Sequence, residues 1–522
     1  MAKAPNVLLI MTDQHTANVA GYRGDNIVAT QNLDRLASQS VDFTSAVTPS
    51  PVCTPARMCM LTGKEPYNCS AWQNHWVLFP EHKTWPQHFA DYGYSTALIG
   101  KMHFGGKNQM NGYQHRPYGD LRHGLGHQAE PLKYFPAYGG AQSAGVTEIP
   151  ESLNSDVVTT REAIAYLLEH KASTPDTPWF TTVSYSRPHP PFTAPGRYVN
   201  KYKDRFSVPT GYYTARNRLE PYARELSEIN RFQELSENTV TRGQEGYYAC
   251  VDFVDDCIGE LLDTLDREGM LENTYVIYTS DHGEMLGDHG LWAKAVYFEN
   301  AIRIPLLIRG PGIEAPGQKM DDPISLIDLF PTLCGLTDLP RPEGIDGVDF
   351  SSRLLHPQET LPPREYMESM FFKYGTRIIG GNFRHYVGEN GEAKPGSAMR
   401  LLRNREWKYV DIEGSEPLLF HIATDPEEKH NLAGKEQYAP RLREMQKRLH
   451  DTITWEEIHH RLQSDKERVP EFFSGQKPTT PNQYMLPDGR VFDAEKELYD
   501  ARWLFFDPDV AHGGGIIPQM FG

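Results

Sequence analysis

The chain has 522 residues, 39% of them apolar and 23% charged, which excludes a disordered or fibrous protein and predicts a large core with at least one smaller unit. Lys and Arg number 52 against 69 Asp and Glu, a net charge of −17. That sign argues against nucleic acid or an anionic membrane as partner, so any bound anion needs a local cluster of cations.

The first half alternates strand and helix patterns. Residues 6–11 are a continuous apolar run, the mark of a strand buried on both faces. A helix is predicted from Thr30 as N-cap, with Leu33, Leu36 and Ala37 on one face, followed by an alternating strand over Val41, Phe43, Ser45 and Val47. Helix 84–92 stops at Gly93, and a strand runs from Tyr94 to Gly100. Helix 156–170 precedes strand 179–185. A long helix near 242–268 carries Tyr247, Val251, Val254, Ile258, Leu261 and Leu265 at three-to-four spacing, and strand 274–280 follows. This is an α/β layout with a largely parallel sheet.

Residues 195–245 are polar, lack a clear period and read as an inserted surface subdomain of a catalytic unit spanning 1–365. Short strand-like pieces at 376–380, 383–387, 400–403, 407–412 and 417–421 precede a helix at 439–451, predicting a small antiparallel sheet with a covering helix over 366–455. The stretch 456–522 reads as an extended tail, and its part from 470 onward, rich in Pro, Gly and aromatics, is expected to wrap a surface or a neighbouring subunit. The six cysteines show no disulfide or metal spacing, and the opening apolar run is too short for a signal peptide or a span. A reducing, cytoplasmic location is expected.

Two acidic sites follow buried strands directly: Thr12-Asp13-Gln14 and Ser280-Asp281-His282-Gly283. In an open α/β sheet, ligands sit off the carboxyl ends of strands, so both sites can face one crevice. Oxygens of Asp13, Gln14 and Asp281 with a nitrogen of His282 suit a divalent cation such as Ca²⁺ or Mg²⁺, although an Asp after a strand is also an ordinary turn former. In Pro51-Val52-Cys53-Thr54-Pro55-Ala56-Arg57, Pro55 suits the first turn of a helix. Cys53 then stands at the helix N-terminus, where free amides favour an anion or thiolate, and Arg57 lies one turn on. A buried cysteine before a helix fits the same pattern.

Cys53-Thr54-Pro55-Ala56-Arg57 followed by Leu61-Thr62-Gly63 resembles the cysteine-type sulfatase signature, whose cysteine is oxidised to formylglycine by a separate maturing enzyme. Gly93-Tyr94-Ser95-Thr96-Ala97-Leu98-Ile99-Gly100-Lys101-Met102-His103 resembles the second signature of the family. The Asp13 strand, Ser280-Asp281-His282-Gly283 and Leu291-Trp292-Ala293-Lys294 complete the likeness across roughly 5–340, and Tyr409-Val410, Asp425-Pro426 and Asn431-Leu432-Ala433 resemble its C-terminal part. The resemblance implies an alkaline-phosphatase-like fold and one cation, Ca²⁺ with Mg²⁺ or Mn²⁺ as alternatives. Its ligands would be Asp13, Gln14, Asp281 and His282 beside the residue at 53. Many relatives have paired aspartates where this chain has Asp13-Gln14, and Asn where it has His282. The Asp-Gln and Asp-His version is similar to choline sulfatases, phosphonate monoester hydrolases and, in its Asp-His part, uronate-2-sulfatases.

By family position a hydroxyl of the hydrated aldehyde attacks sulfur and a sulfate hemiacetal results. His103 would be the base of its breakdown, and Arg57 and Lys101 would hold the formylglycine oxygens. His189 and Lys294 would contact sulfate and protonate the leaving oxygen, with Asn74 and Lys101 also binding the substrate. Expected substrates are small alkyl, aryl or saccharide sulfate esters, including oligosaccharides. The alternatives are a phosphonate monoester hydrolase or phosphodiesterase using the same site and, remotely, an inactive sulfate-ester-binding protein. Trp76, Tyr113, Trp292, Tyr297 and Phe298 are candidates for the leaving-group pocket or for packing. The tail resembles the extension that joins subunits of choline sulfatases, implying a homodimer or homotetramer.

Overall fold

The structure, a computed structural model, describes residues 3–74, 76–105, 108–118, 140–217, 219–313, 317–358, 364–373, 396, 398–473, 483–485 and 491–493. The main sheet is built from β1 (Asn6–Asp13), β2 (Val41–Phe43), β3 (Ser95–Gly100), β4 (His115–Tyr118), β5 (Trp179–Pro188), β6 (Thr274–Ser280), β7 (Leu306–Arg309) and β8 (Lys319–Met320). Its spatial order is β8-β2-β7-β6-β1-β5-β3-β4. The pairs β6/β1, β1/β5, β5/β3 and β3/β4 are parallel, whereas β7 runs antiparallel to both neighbours. The central strand explains itself from its sequence: Val7, Leu9 and Met11 enter one core layer and Leu8 and Ile10 the other, all without exposure. Side chains alternate across a strand, so a strand covered on both faces must be apolar throughout, each such side chain contributing about 1.5–3 kcal/mol.

Helices α1 (Gln31–Ser38), α4 (Ser155–Ser173) and α7 (Glu237–Arg267) cover one face, and α2 (Cys53–Thr62), α3 (Trp85–Asp91) and α8 (Leu329–Leu336) the other. Thr30 stands at the α1 N-cap as its position predicts, but its hydroxyl bonds Asp34 and the Gly21 amide, and Asp255 accepts the Asn32 and Leu33 N–H groups instead. The strand expected over Val41–Val47 is interrupted, β2 ending at Phe43 and a two-residue strand resuming at Ala46.

Residues 195–245, read above as a polar surface insertion, are joined to the main core. They include α5 (Gly196–Tyr202), α6 (Pro221–Ile229) and the start of α7, and Tyr212, Leu219, Tyr222, Leu226, Phe232 and Val240 fill a cluster with Phe192, Tyr247 and Trp292. The aromatic residues carry the core while the intervening polar residues face outward, which blurs any helical period. The antiparallel sheet of the C-terminal part runs β9 (Met367–Phe372), β10 (Ala398–Arg403), β11 (Trp407–Ile412) and β12 (Leu418–His421) in spatial order. Its covering helix is α9 (Ala439–Thr452), and α10 (Trp455–Phe473) follows. The expected strands at 376–380 and 383–387 lie outside the described residues, as does most of the tail from 474. Phe371 and Met399 share the apolar cluster of Trp292, so this sheet braces the loop that carries Lys294.

The end of β3 illustrates how tightly the layers meet at the site. Gly100 has φ 93°, and a Cβ there would lie 2.1 Å from the Ser184 carbonyl oxygen. Gly100→Ala is expected to destabilise the protein by about 2–4 kcal/mol in urea unfolding. Gly269→Ala, at φ 66° with nothing within 4 Å of the added carbon, isolates the backbone cost alone and is expected to lose only about 1 kcal/mol.

Candidate active site

Parallel pairing of β1 with β6 sets Thr12 beside Ser280, so Asp13 and Asp281 leave adjacent strands at the same level. Their carboxylates divide their work. The Oδ2 atoms receive cations: Arg57 Nη2 at 2.9 Å and Lys101 Nζ at 2.7 Å on Asp13, and Arg57 Nε at 2.8 Å on Asp281. The Oδ1 atoms face His282 Nε2, at 4.0 Å from Asp13 and 3.7 Å from Asp281. Burial pushes the Asp13 carboxyl up, but Lys101, His189, Arg57 and His282 outweigh it and hold it well below its usual range.

His282 places its Nδ1 3.0 Å from the Gly283 carbonyl oxygen, to which that nitrogen donates, so Nε2 is the ring atom that turns inward. Its neighbour must be glycine, because a Cβ at 283 would sit 1.9 Å from the Asn300 carbonyl oxygen. Gln14 adopts φ 68°, with its N–H on Asp281 Oδ1 at 3.0 Å and its carbonyl accepting from Tyr247 Oη at 2.7 Å.

Cys53 opens α2, as expected, and is fully buried. Its sulfur lies 3.2 Å from His282 Nε2, 3.7 Å from Asp13 Oδ1 and 3.7 Å from Lys294 Nζ. Ligand atoms of Asp13, Cys53, Asp281 and His282 all fall within 4.8 Å of one another. Burial and Asp13 push the thiol up, while Lys294, His282 and Lys101 outweigh them and bring it below its ordinary value. Two carboxylate oxygens and one oriented imidazole nitrogen this close together form a donor set that fits a divalent cation.

Arg57, one turn along α2, reaches back to the two aspartates beside Cys53. Besides the two aspartates it donates to the Lys101 carbonyl at 2.8 Å and Ser184 Oγ at 3.0 Å, so in this arrangement it braces the carboxylates. Lys101 and His103 follow β3, and the His103 carbonyl accepts from Thr54 Oγ1 at 3.0 Å while its own φ is 59°. His189 lies between two cis X-Pro bonds, with Nδ1 on the Pro190 carbonyl at 2.8 Å and Nε2 4.0 Å from Asp13 Oδ1. Lys294 is fully buried, with Nζ bonded to Gln14 Oε1. Asn74 Oδ1 accepts the Thr54 N–H at 2.9 Å, and its buried Nδ2 has no hydrogen-bond partner among the described residues. An amide donor left unpaired beside Cys53 is a place for an anionic oxygen.

Contacts link Asp13, Gln14, Cys53, Arg57, Lys101, His189, Asp281, His282 and Lys294 directly, and Asn74 and the His103 carbonyl join them through Thr54. The sequence reading missed Glu284, fully buried, which accepts from Gln14 Nε2, from the Leu286 N–H at 3.0 Å and from the Ala293 N–H at 2.6 Å. The signal for it was its place in Asp281-His282-Gly283-Glu284. Several aromatic candidates are packing residues: Trp292 donates to Tyr212 Oη at 2.9 Å, Tyr113 Oη pairs with Thr182 at 2.8 Å, and Phe298 stacks on His289 with centroids 3.9 Å apart.

Carboxylates, an imidazole and a buried lysine around one nucleophile position, at the carboxyl ends of a mostly parallel sheet, define an alkaline-phosphatase-like ester hydrolase site. The sulfatase family profile matches residues 5–339, and the chain belongs to that family; it is a sulfuric ester hydrolase. A profile of N-sulphoglucosamine sulphohydrolase C-terminal regions matches residues 287–454. The chain is 30% identical over 446 residues to a choline-sulfatase of Rhizobium meliloti, covering 82% of each protein. It is 30% identical over 466 residues to an ulvan-active sulfatase of Formosa agariphila, covering 86% of this chain and 81% of that one. The crystal structure of a phosphonate monoester hydrolase of Agrobacterium radiobacter matches with TM-score 0.73 at 25% identity, over 86% of this chain and 95% of its own.

Proposed function

We propose that the protein hydrolyses a small sulfate monoester to alcohol and sulfate, with Cys53 converted to formylglycine and a divalent cation, Ca²⁺ in the first place, held by Asp13, Gln14, Asp281 and His282. The observation that carries this reading is the position of the Cys53 sulfur, between His282 Nε2 at 3.2 Å and Lys294 Nζ at 3.7 Å. When present, the cation supplies positive charge for the transferred group, and the hydrated aldehyde supplies two hydroxyls on one carbon.

The chain's own residues do the rest. Arg57 and Lys101 keep Asp13 ionised. The unpaired Asn74 Nδ2 donates to a sulfate oxygen, and Lys294 and His189 bring positive charge to the same group. Because His189 Nδ1 is engaged by the Pro190 carbonyl, its Nε2 is the atom that hands a proton to the leaving oxygen. His103 takes the proton that restores the resting side chain. Cys53 has no exposure, so the maturing enzyme meets it before the chain folds. Six free, buried cysteines are in keeping with a cytoplasmic protein. Among the described residues no helix is long and apolar enough to cross a membrane. The tail is proposed to join a homodimer or homotetramer; light scattering on the full chain and on one ending at 473 tests it.

A second reading, hydrolysis of phosphonate monoesters or phosphodiesters at the same site, draws support from the likeness to the phosphonate monoester hydrolase. The test is mass spectrometry of the Cys53 peptide followed by a panel of choline, aryl, uronate-2-O and hexose sulfates with matched phosphate and phosphonate esters. Formylglycine and faster turnover of a sulfate ester are expected. An unmodified cysteine, or a clear preference for phosphonates, overturns the proposal.

A further inference from the structure

We infer that Glu284 is a positioning residue that decides which end of the Gln14 carboxamide faces the cation site. The inference rests on reading Asp13, Gln14, Asp281 and His282 as cation ligands. A primary amide has two ends of nearly the same shape and opposite polarity, and only its neighbours choose between them. One end of Gln14 meets the acceptor-only carboxylate of Glu284, and the other meets the donor-only ammonium of Lys294. Only the observed orientation satisfies both, with Nε2 on Glu284 and Oε1 on the Lys294 ammonium, itself 3.7 Å from the Cys53 sulfur.

Glu284 is itself held in place. Its Oε1 accepts the Leu286 N–H at 3.0 Å and the Ala293 N–H at 2.6 Å, so the carboxylate has no freedom to turn away. The Gln14 main chain is pinned at both ends by Asp281 and Tyr247, leaving the amide orientation as the remaining variable. An amide oxygen is a good ligand for a hard cation, whereas an amide NH₂ turned toward it repels it. The Ala293 contact also fixes the peptide between Trp292 and Ala293, one residue before Lys294, so one buried carboxylate holds both Gln14 and the segment that carries the cationic side chain.

The test is calorimetric titration of the full-length protein with CaCl₂. Glu284→Gln replaces an obligate acceptor with a group that can donate, so the Gln14 amide can turn its NH₂ into the site. Ca²⁺ binding is expected to weaken by about 10- to 100-fold, the usual size of an outer-sphere effect. Combining Gln14→Glu with Glu284→Gln exchanges the polarity of the pair and again places an oxygen toward the cation, so the double variant is expected to regain most of the affinity. General structural damage is not repaired by a second substitution.

Wild-type affinity in Glu284→Gln, or a folded double variant as weak as the single one, overturns the inference. If Glu284→Gln does not fold, Gln14→Glu alone is compared with the double variant. Alone it sets two carboxylates against each other and is expected to bind more weakly; equal binding overturns the inference. A wild-type protein that binds none of Ca²⁺, Mg²⁺ and Mn²⁺ overturns the cation-site reading and the inference with it, an outcome distinct from the others.

Discussion

Cys53→Ala is expected to lower kcat/KM for a sulfate ester by about 10⁴-fold or more while leaving the fold intact. The side chain at 53 is the only candidate nucleophile at the meeting point of His282, Lys294 and Asp13 among the described residues. Alanine keeps the α2 N-terminus and removes only one heavy atom from a filled pocket, a structural cost of about 1 kcal/mol. Loss of activity with a nearly unchanged unfolding midpoint therefore isolates the chemistry. A decrease of only about tenfold in steady-state assays would mean that water attacks sulfur directly, and covalent catalysis at 53 would have to be abandoned.

The second large effect concerns stability. Arg57 and both of its carboxylate partners have no exposure, and removal of one member of such a buried set typically costs about 3–5 kcal/mol. Arg57→Met keeps the volume and deletes the charge, leaving Asp13 and Asp281 facing each other with Lys101 as the nearest compensation. The variant is expected to melt well below wild type and to recover part of the loss when CaCl₂ is added, since a cation between the Oδ1 atoms relieves the same repulsion.

The pH dependence follows in sign. Asp13 is depressed in the folded state, so its contribution is complete above the unfolded carboxylate range and disappears as pH falls through the folded value. Without Arg57 that folded value rises, and the acid limb of the stability curve moves to higher pH. Thermal melts between pH 3 and pH 8, with and without CaCl₂, check both effects; an unshifted acid limb would show that Lys101 alone keeps Asp13 ionised.

The C-terminal sheet and the 195–245 segment share one physical lesson. Both contribute to the cluster around Trp292, and that cluster holds the loop carrying Lys294. Neither contribution was legible beforehand, because aromatic residues spaced irregularly among charges reveal burial only when their partners are known. Glu284 escaped for the same reason: one Glu after His-Gly looks like any other until Gln14, from the far end of the chain, is brought against it.

What the sequence determined by itself was local. The apolar run of β1, the periodicity of α7 and the Pro55 helix start fix elements within a few residues, and the Cys53, Lys101, His103, Asp281 and Lys294 motifs carry the family resemblance. The tertiary structure alone decided which atoms face which: that Arg57 braces two aspartates, that Asn74 has a donor unpaired among the described residues, and that Glu284 and Lys294 together orient Gln14. Periodicity and capping act between neighbours in the chain, whereas charge pairing and amide orientation depend on strands that meet only after the sheet has formed.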